Sequence, residues 1–359
     1  VKKRPKATAG VSHTEKILGW ATLAASLALC TTYLAPYVPP DRFRSMAFAG
    51  LAFPYCWLLN VCLGLFWLCR RKRYGYAPLL ALLLGWPGLG NFLSIGGRSD
   101  ARGLRVLTFN ARHFDTLLPG KGEKEKNATL RAVQEKLRAL NPDILCGQDF
   151  SGDNGKTNDI VHRFIQEELG LRHVFHKTPH LYTFSRFPIV EKQATRFDRS
   201  FNSFHWVDID RGGQTIRVFN IHLQSFKIGF DQDENSLPGN PESPEADRAY
   251  RTVFGKLHRG FVKRAAQARL VAKAIAESPH PVIVCGDFND TPQSFAYRTV
   301  RGDLRDSFED QGSGMDCTYS GKLPFLRIDY ILSSPALPAK AHRVVEADYS
   351  DHFAVLAVF

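Results

Sequence analysis

Seven cysteines in 359 residues, with no Cys-x-x-Cys pair among them, exclude a disulfide framework and a sulfur-built zinc site. Cys30, Cys56, Cys62 and Cys69 lie in apolar stretches, Cys146 and Cys285 sit inside apolar runs that read as buried strands, and Cys317 is left in a loop-like context. A large excess of basic over acidic residues is also missing from most of the chain, despite a formal net charge of +12. The first hundred residues hold 12 Lys or Arg against three acids, whereas the remainder hold 35 against 32. The nearly balanced remainder gives no compositional signal for a polyanion partner, so the basicity reports mainly on the orientation of the N-terminal region.

Charge is absent altogether from residues 17–38 and 45–69, runs of 22 and 25 residues. Each is long enough, as helix, to cross a hydrocarbon core of about 30 Å. A third apolar stretch, 77–95, carries Pro78, Gly85, Pro87, Gly88, Gly90 and Asn91, and reads as a third span or a re-entrant segment. A cleaved signal peptide shares the basic start and apolar run, but its core is shorter and no further spans follow it. Lys2, Lys3, Arg4, Lys6 and Lys16 precede the first run and Arg70, Arg71, Lys72 and Arg73 follow the second, while the loop between them has only Arg42 and Arg44. The positive-inside rule then puts the N-terminus in the cytoplasm and, after three spans, the rest of the chain on the other side. The expectation is a membrane region over residues 1–100 with two or three transmembrane helices, in a multi-pass protein whose remaining residues, 101–359, form one extracytoplasmic domain.

From Leu104 onward no internal repeat and no long linker divides the chain. Short β-rich runs alternate with helical stretches, which predicts an α/β domain. The strands are expected at 104–110, 144–148, 181–185, 204–209, 216–223, 282–287, 328–332 and 354–359. Leu130, Val133, Leu137 and Leu140 recur at helical spacing and stop before Pro142, and Phe261, Ala265, Ala268, Ala272 and Ile275 repeat the pattern. Between Leu223 and Phe261 lies a segment with Pro238, Pro241 and Pro244, read as irregular and too long for a simple connector. It is a candidate substrate loop.

Polar residues able to do chemistry gather at the strand ends. Gly286-Asp287-Phe288-Asn289 follows an apolar strand, Ile221-His222-Leu223 precedes the long segment, and Arg327-Ile328-Asp329-Tyr330 is followed by Ser350-Asp351-His352. Phe109-Asn110 ends the first strand and Gln148-Asp149 the second. Each motif alone reads equally well as a turn, a strand end, an ion pair such as Asp329 with Arg327, or a core histidine. Taken together, the order Asn, acid, His, Asp-x-Asn, Asp, Asp-His, with Ser185-Arg186-Phe187-Pro188-Ile189 between, resembles the endonuclease/exonuclease/phosphatase superfamily, over residues 104–359 and in a membrane-anchored bacterial form.

That resemblance implies a deoxyribonuclease I-like fold, a four-layer sandwich of two mixed β-sheets flanked by helices. It also implies a divalent-metal-dependent phosphoester hydrolase in which an activated water attacks phosphorus. Asp149 is then the main ligand of Mg²⁺ or Mn²⁺, with Asn110 and Asp351 as further hard oxygen ligands. Asp287, with Asn289 beside it, aligns or deprotonates the attacking water. His352, oriented by Asp329, contacts the phosphoryl group or transfers a proton, and His222 holds the phosphate or protonates the leaving group. One position departs from the pattern: the family usually has Glu where this chain has Asp149, which shortens the carboxylate's reach by one methylene.

The superfamily serves several substrates, so a phosphodiesterase or phosphatase acting on lipid or sugar phosphates at a membrane is the first expectation and a tethered nuclease the second. A catalytically weakened binding domain is the third, supported by Asp149. Against the nuclease, residues 231–247 carry Asp231, Asp233, Glu234, Glu242, Glu245 and Asp247 with no base, a run that would repel a polyanion at a cleft mouth. Lys256, Arg259, Lys263 and Arg264, which follow, weigh the other way.

Overall fold

The computed structural model describes residues 12–113, 122–150, 160–178, 180–225, 244–321, 326–347 and 349–359. Two six-stranded sheets dominate it. The first contains β1 (Arg105–Asn110), β2 (Ile144–Gln148), β3 (His173–Phe175), β4 (Tyr182–Ser185), β11 (Ala341–Val345) and β12 (Ala354–Val358), in the order β11-β12-β1-β2-β4-β3. The second contains β5 (Ile189–Arg196), β6 (Ser203–Asp210), β7 (Thr215–His222), β8 (Val282–Asp287), β9 (Arg305–Asp306) and β10 (Asp329–Ser333), in the order β5-β6-β7-β8-β10-β9. Each sheet is mixed: β1 runs parallel to β2 and β7 parallel to β8, while the other neighbours are antiparallel.

Alternation along the strands explains why the sheets stack. Val106, Ile144, Val218, Ile283 and Ile331 face inward and form one core between the sheets, with the fully buried Cys146 and Cys285 among them. Their neighbours face outward. On one side Leu107 and Leu145 meet Val133, Leu137 and Leu140 of the amphipathic helix α5 (Glu123–Leu140), which ends at Asn141 in the left-handed conformation. On the other, Phe219 and Val284 meet Ala268 and Val271 of the long helix α6 (Pro244–Ala276). Two sheets between two helical layers give the four-layer α/β sandwich.

The predicted helix around Phe261 begins earlier than expected, at Pro244, whose fixed φ suits a helix start. The irregular segment is therefore shorter by that much, and the prolines at 238 and 241, with most of the acidic run, lie outside the described residues. Of the basic residues after it, Arg264 is fully buried and donates to Asp290 at 3.0 Å and to the Gln224 carbonyl at 2.7 Å, a structural role.

The N-terminal residues form three helical segments. α1 (His13–Thr32) leads through turns to α2 (Arg44–Cys69), and α3 (Tyr76–Leu84) is followed by the single turn α4 (Trp86–Leu89). Among the described residues only α2 is both long and apolar enough to cross a membrane by length and composition. The expected span 17–38 ends as helix at Thr32, and 77–95 forms no single helix of spanning length. Gly85 and Pro87 break it: proline has no N–H to continue the ladder and clashes with the preceding turn. Ser94 then bridges to Gly314 of the sandwich.

The three segments pack around a buried apolar cluster of Leu29, Phe53 and Ala81 and a buried polar group. Inside, Thr22, Ser26 and Asn60 are buried: Ser26 Oγ donates to Asn60 Oδ1 at 2.9 Å, and Trp67 Nε1 to Thr22 Oγ1 at 2.8 Å. Outside, Trp20, Leu27, Leu58, Leu68, Leu80 and Trp86 are exposed. Small residues allow close approach, since a Cβ on Gly50 would lie 2.3 Å from the Gln293 carbonyl oxygen. That contact joins α2 to the sandwich, reinforced by Gln293 donating to the Thr32 carbonyl, an Arg269–Asp41 ion pair of 2.9 Å, and Phe48 edge-on to Phe261.

Candidate active site

At one edge of the sandwich, the inward-facing row of each central strand changes from apolar to polar. Val106-Thr108-Asn110, Ile144-Cys146-Gln148, Val218-Asn220-His222 and Ile283-Cys285-Asp287 all end in a hydrogen-bonding or ionisable side chain, and β10 begins with one, Asp329. Strand register does the rest. Asp287 lies directly opposite His222 on β7 and Asp329 on β10, and Asn110 opposite Gln148.

All eight residues expected from sequence converge there. Asp287, 1% exposed, accepts from Asn110 Nδ2 and Asn289 Nδ2 on Oδ2 at 2.9 Å each, and from the Asn289 backbone N–H on Oδ1 at 2.7 Å. Asn289 adopts a left-handed φ of 53° and also donates to the Leu223 carbonyl, tying the turn after β8 to the end of β7. His222 Nε2 stands 3.6 Å from Asp287 Oδ2, and its Nδ1 is 3.5 Å from Asp149 Oδ1. His352 presents Nδ1 to Asp329 Oδ2 at 3.0 Å and Nε2 to Asp287 and Asp351, each at 3.9 Å. Asn110 gives its amide nitrogen to Asp287, and its oxygen accepts from the Arg112 backbone N–H at 3.0 Å, leaving that oxygen a second lone pair.

Several supporting residues were given no role from sequence. Thr318 Oγ1 accepts from the Asp329 backbone N–H at 3.0 Å, Ser350 Oγ accepts from His352 N at 3.1 Å and donates to the Asn110 carbonyl, and Tyr319 packs its ring against His352. Asn220, fully buried, crosses between the sheets: it accepts from Gln148 Nε2 at 2.7 Å and donates to the Tyr182 carbonyl. Its signal was present in the strand alternation, two residues before His222 on the same face.

Electrostatics set the proton inventory. Burial, aided by the Asp287 carboxylate, pushes Asp329 up to about 6 against the pull of His352. Burial opposes charge on His352 as well, but the carboxylates of Asp329 and Asp287 outweigh it and raise the imidazole to about 10. Near neutral pH the pair is thus imidazolium against carboxylate, with the Nε2 proton aimed toward Asp287 and Asp351.

The residues fit a divalent cation. Asp149 stands beside His222, and Asp287 and Asp351 beside His352, so three carboxylates gather around the two histidines in addition to Asp329, which the His352 imidazolium neutralises. Asp351 Oδ1 is buried without a hydrogen-bond donor and keeps its lone pairs open to a ligand, while Arg112 Nη1 lies 3.3 Å from Oδ2 and His352 Nε2 3.9 Å from Oδ1. Oxygen donors of this kind suit a hard ion. A second group, His113, Asp149 and His180, was not visible as a cluster in the sequence, because residues so far apart show no ligand spacing.

The chain's residues 107–352 match the sequence profile of the endonuclease/exonuclease/phosphatase family, and residues 15–92 match that of a domain of unknown function. No curated protein matches the chain. Among solved structures, a D. rerio TDP2 humanized by 14 mutations is 16% identical, with 71% of this chain and 98% of that chain covered and a TM-score of 0.49. An endonuclease/exonuclease/phosphatase family protein from Bacteroides thetaiotaomicron is 18% identical, covering 72% and 97% at a TM-score of 0.49. Sphingomyelinase C from Streptomyces griseocarneus is 16% identical, covering 72% and 99% at 0.45. The profile match spans most of the chain and includes every strand-end residue described above, so this protein belongs to the endonuclease/exonuclease/phosphatase family of metal-dependent phosphoester hydrolases.

Proposed function

We propose that the chain is a membrane-tethered phosphodiesterase or phosphatase whose site is the cluster around Asp287. The observation that carries this reading is the position of Asp287 between His222 at 3.6 Å and the His352–Asp329 pair, whose Nε2 lies at 3.9 Å. Asp287 is held by three donors and stays oriented as a base for an incoming water, with Asn289 fixing its plane. His352, kept protonated by Asp329, offers Nε2–H to a non-bridging phosphoryl oxygen as negative charge builds there. His222, one-tenth exposed and between Asp149 and Asp287, is placed to hold the phosphate or to give a proton to the leaving oxygen. Asp149 and Asp351, with Asn110 alongside, would hold Mg²⁺ or Mn²⁺, which would supply charge neutralisation to the phosphate.

The tether is the N-terminal region, residues 1–100, and the catalytic domain is 101–359. Exposed leucines and tryptophans around buried Thr22, Ser26 and Asn60 favour a lipid environment, where polar side chains bind helices together and apolar ones face outward. Lys72 pairs with Glu15 at 2.7 Å, so the end of α2 and the start of α1 share the basic end of the bundle. Thr32, Asp41 and Asn91 lie at the opposite end, against the sandwich. With the basic end in the cytoplasm, the catalytic domain is extracytoplasmic, on a bacterial inner membrane. The test is a screen of the purified full chain with Mg²⁺ or Mn²⁺ against phospholipids, sugar phosphates, DNA and RNA. Turnover of a lipid or sugar phosphoester supports the reading; turnover of nucleic acid alone replaces it with a nuclease.

A further inference from the structure

His113, Asp149 and His180 come from three separate connections, after β1, after β2 and before β4, yet their side chains meet at the mouth of the cleft. Each adopts a left-handed backbone conformation, with φ of 55°, 42° and 68°. Such conformations are unfavourable for non-glycine residues and here are held in place by the fold. The His113 N–H donates to the Asp149 carbonyl at 2.6 Å and the Phe150 N–H to the His180 carbonyl at 3.1 Å, so the three backbones are stitched together. The two imidazoles meet edge to face with centroids 4.6 Å apart, and His113 Nε2 is 3.8 Å from Asp149 Oδ1. One ligand atom from each residue lies within 4.8 Å of the other two.

We propose that His113, Asp149 and His180 form a transition-metal site, selective for Zn²⁺ or Co²⁺ over Mg²⁺. Two imidazoles and one carboxylate suit these borderline ions, whereas Mg²⁺ prefers an all-oxygen shell. All three side chains are partly exposed and line a cleft of about 250 Å³ together with His222, Asn202 and Ser203. Three protein ligands leave room for water or a phosphate oxygen from that cleft, as in catalytic rather than structural metal sites. Asp149 Oδ1 is 3.5 Å from His222, so an ion here adjoins the residues assigned to phosphate binding. The inference shares Asp149 with the proposed function but does not depend on hydrolysis.

The experiment is a Co²⁺ titration of the chelator-treated full chain in detergent, read by the visible bands of nitrogen-ligated Co²⁺, with Zn²⁺ and Mg²⁺ as competitors. One Co²⁺ is expected, displaced by Zn²⁺ and little by Mg²⁺, with affinity falling about tenfold or more in His113→Gln and His180→Gln. Asp287→Asn, outside the triad, should keep the bands. Thermal midpoints of the two histidine variants, matched to the parent, exclude misfolding as the cause. Bands unchanged in both histidine variants, or removed by equimolar Mg²⁺, overturn the site. Mg²⁺-supported hydrolysis without histidine-dependent Co²⁺ binding counts against this inference alone, and the bands without any hydrolysis count against the proposed function alone.

Discussion

His352 Nδ1 lies 3.0 Å from Asp329 Oδ2 while its Nε2 faces Asp287 at 3.9 Å, so one carboxylate orients the ring and the other receives its far side. Replacing Asp329 with Asn keeps the shape but removes the charge that holds the imidazolium. The expected result is a loss of about 10²- to 10⁴-fold in kcat, the range of a positioned acid–base group, with a much smaller change in KM. Steady-state kinetics on one phosphodiester check it. Equal losses in Asp329→Asn and a distant buried variant of matched stability would show that the pair has only a structural role.

The family resemblance implies a Glu at the position of Asp149. If its charge serves the ion, Asp149→Asn should sharply raise the Mg²⁺ concentration for half-maximal rate, whereas Asp149→Glu should leave it similar or lower. Initial rates across a metal titration for the three proteins decide this. A parent-like titration by Asp149→Asn would reduce Asp149 to a turn residue.

The bundle orientation predicts that alkaline phosphatase fused after Phe359 is active and that a fluorescent cytoplasmic reporter at the same place is dark. The reverse pair of results would put the catalytic domain in the cytoplasm and show that the broken segment 77–95 does not cross.

His205 predicts an acid-sensitive core. Burial between the sheets, with a smaller effect of His176, lowers its imidazole to about 3, and its Nε2 pairs with Thr183 Oγ1 at 2.7 Å. The unfolded chain takes up a proton at this side chain near pH 6.5 while the folded chain does so only near 3. Its contribution is therefore fully present above 6.5 and is lost as pH falls through that window, by about 1.4 kcal/mol per pH unit at most. His205→Gln removes the titration. Thermal midpoints measured from pH 7 to 4.5 should fall more steeply in the parent than in the variant; parallel profiles would contradict the neutral imidazole.

How much of this was legible in the sequence depended on burial. β2 and β8 match their sequence-predicted bounds because Ile144–Gln148 and Val282–Asp287 are buried on both faces and read as unbroken apolar runs. β3, β5, β9 and β11 were missed: His173–Phe175 and Arg305–Asp306 are only three and two residues long, Ile189–Arg196 is a largely polar edge strand, and Ala341–Val345 mixes His and Arg into its pattern. The residues expected at the site were chosen through motif order, and strand register brings Asp287 opposite His222 and Asp329. His113 and His180 carried no such signal, since neither belongs to a motif and only the folding of three connections brings them to Asp149.

The central claim is metal-dependent hydrolysis at Asp287, and the direct measurement is the initial rate on a generic phosphodiester by full-length parent and Asp287→Ala protein, with EDTA and after Mg²⁺ or Mn²⁺ is restored. The account predicts that EDTA abolishes turnover, that either ion recovers it, and that Asp287→Ala stays at least about 10²-fold below the parent with the ion present. Turnover that survives EDTA, or an Asp287→Ala protein that matches the parent, would contradict it.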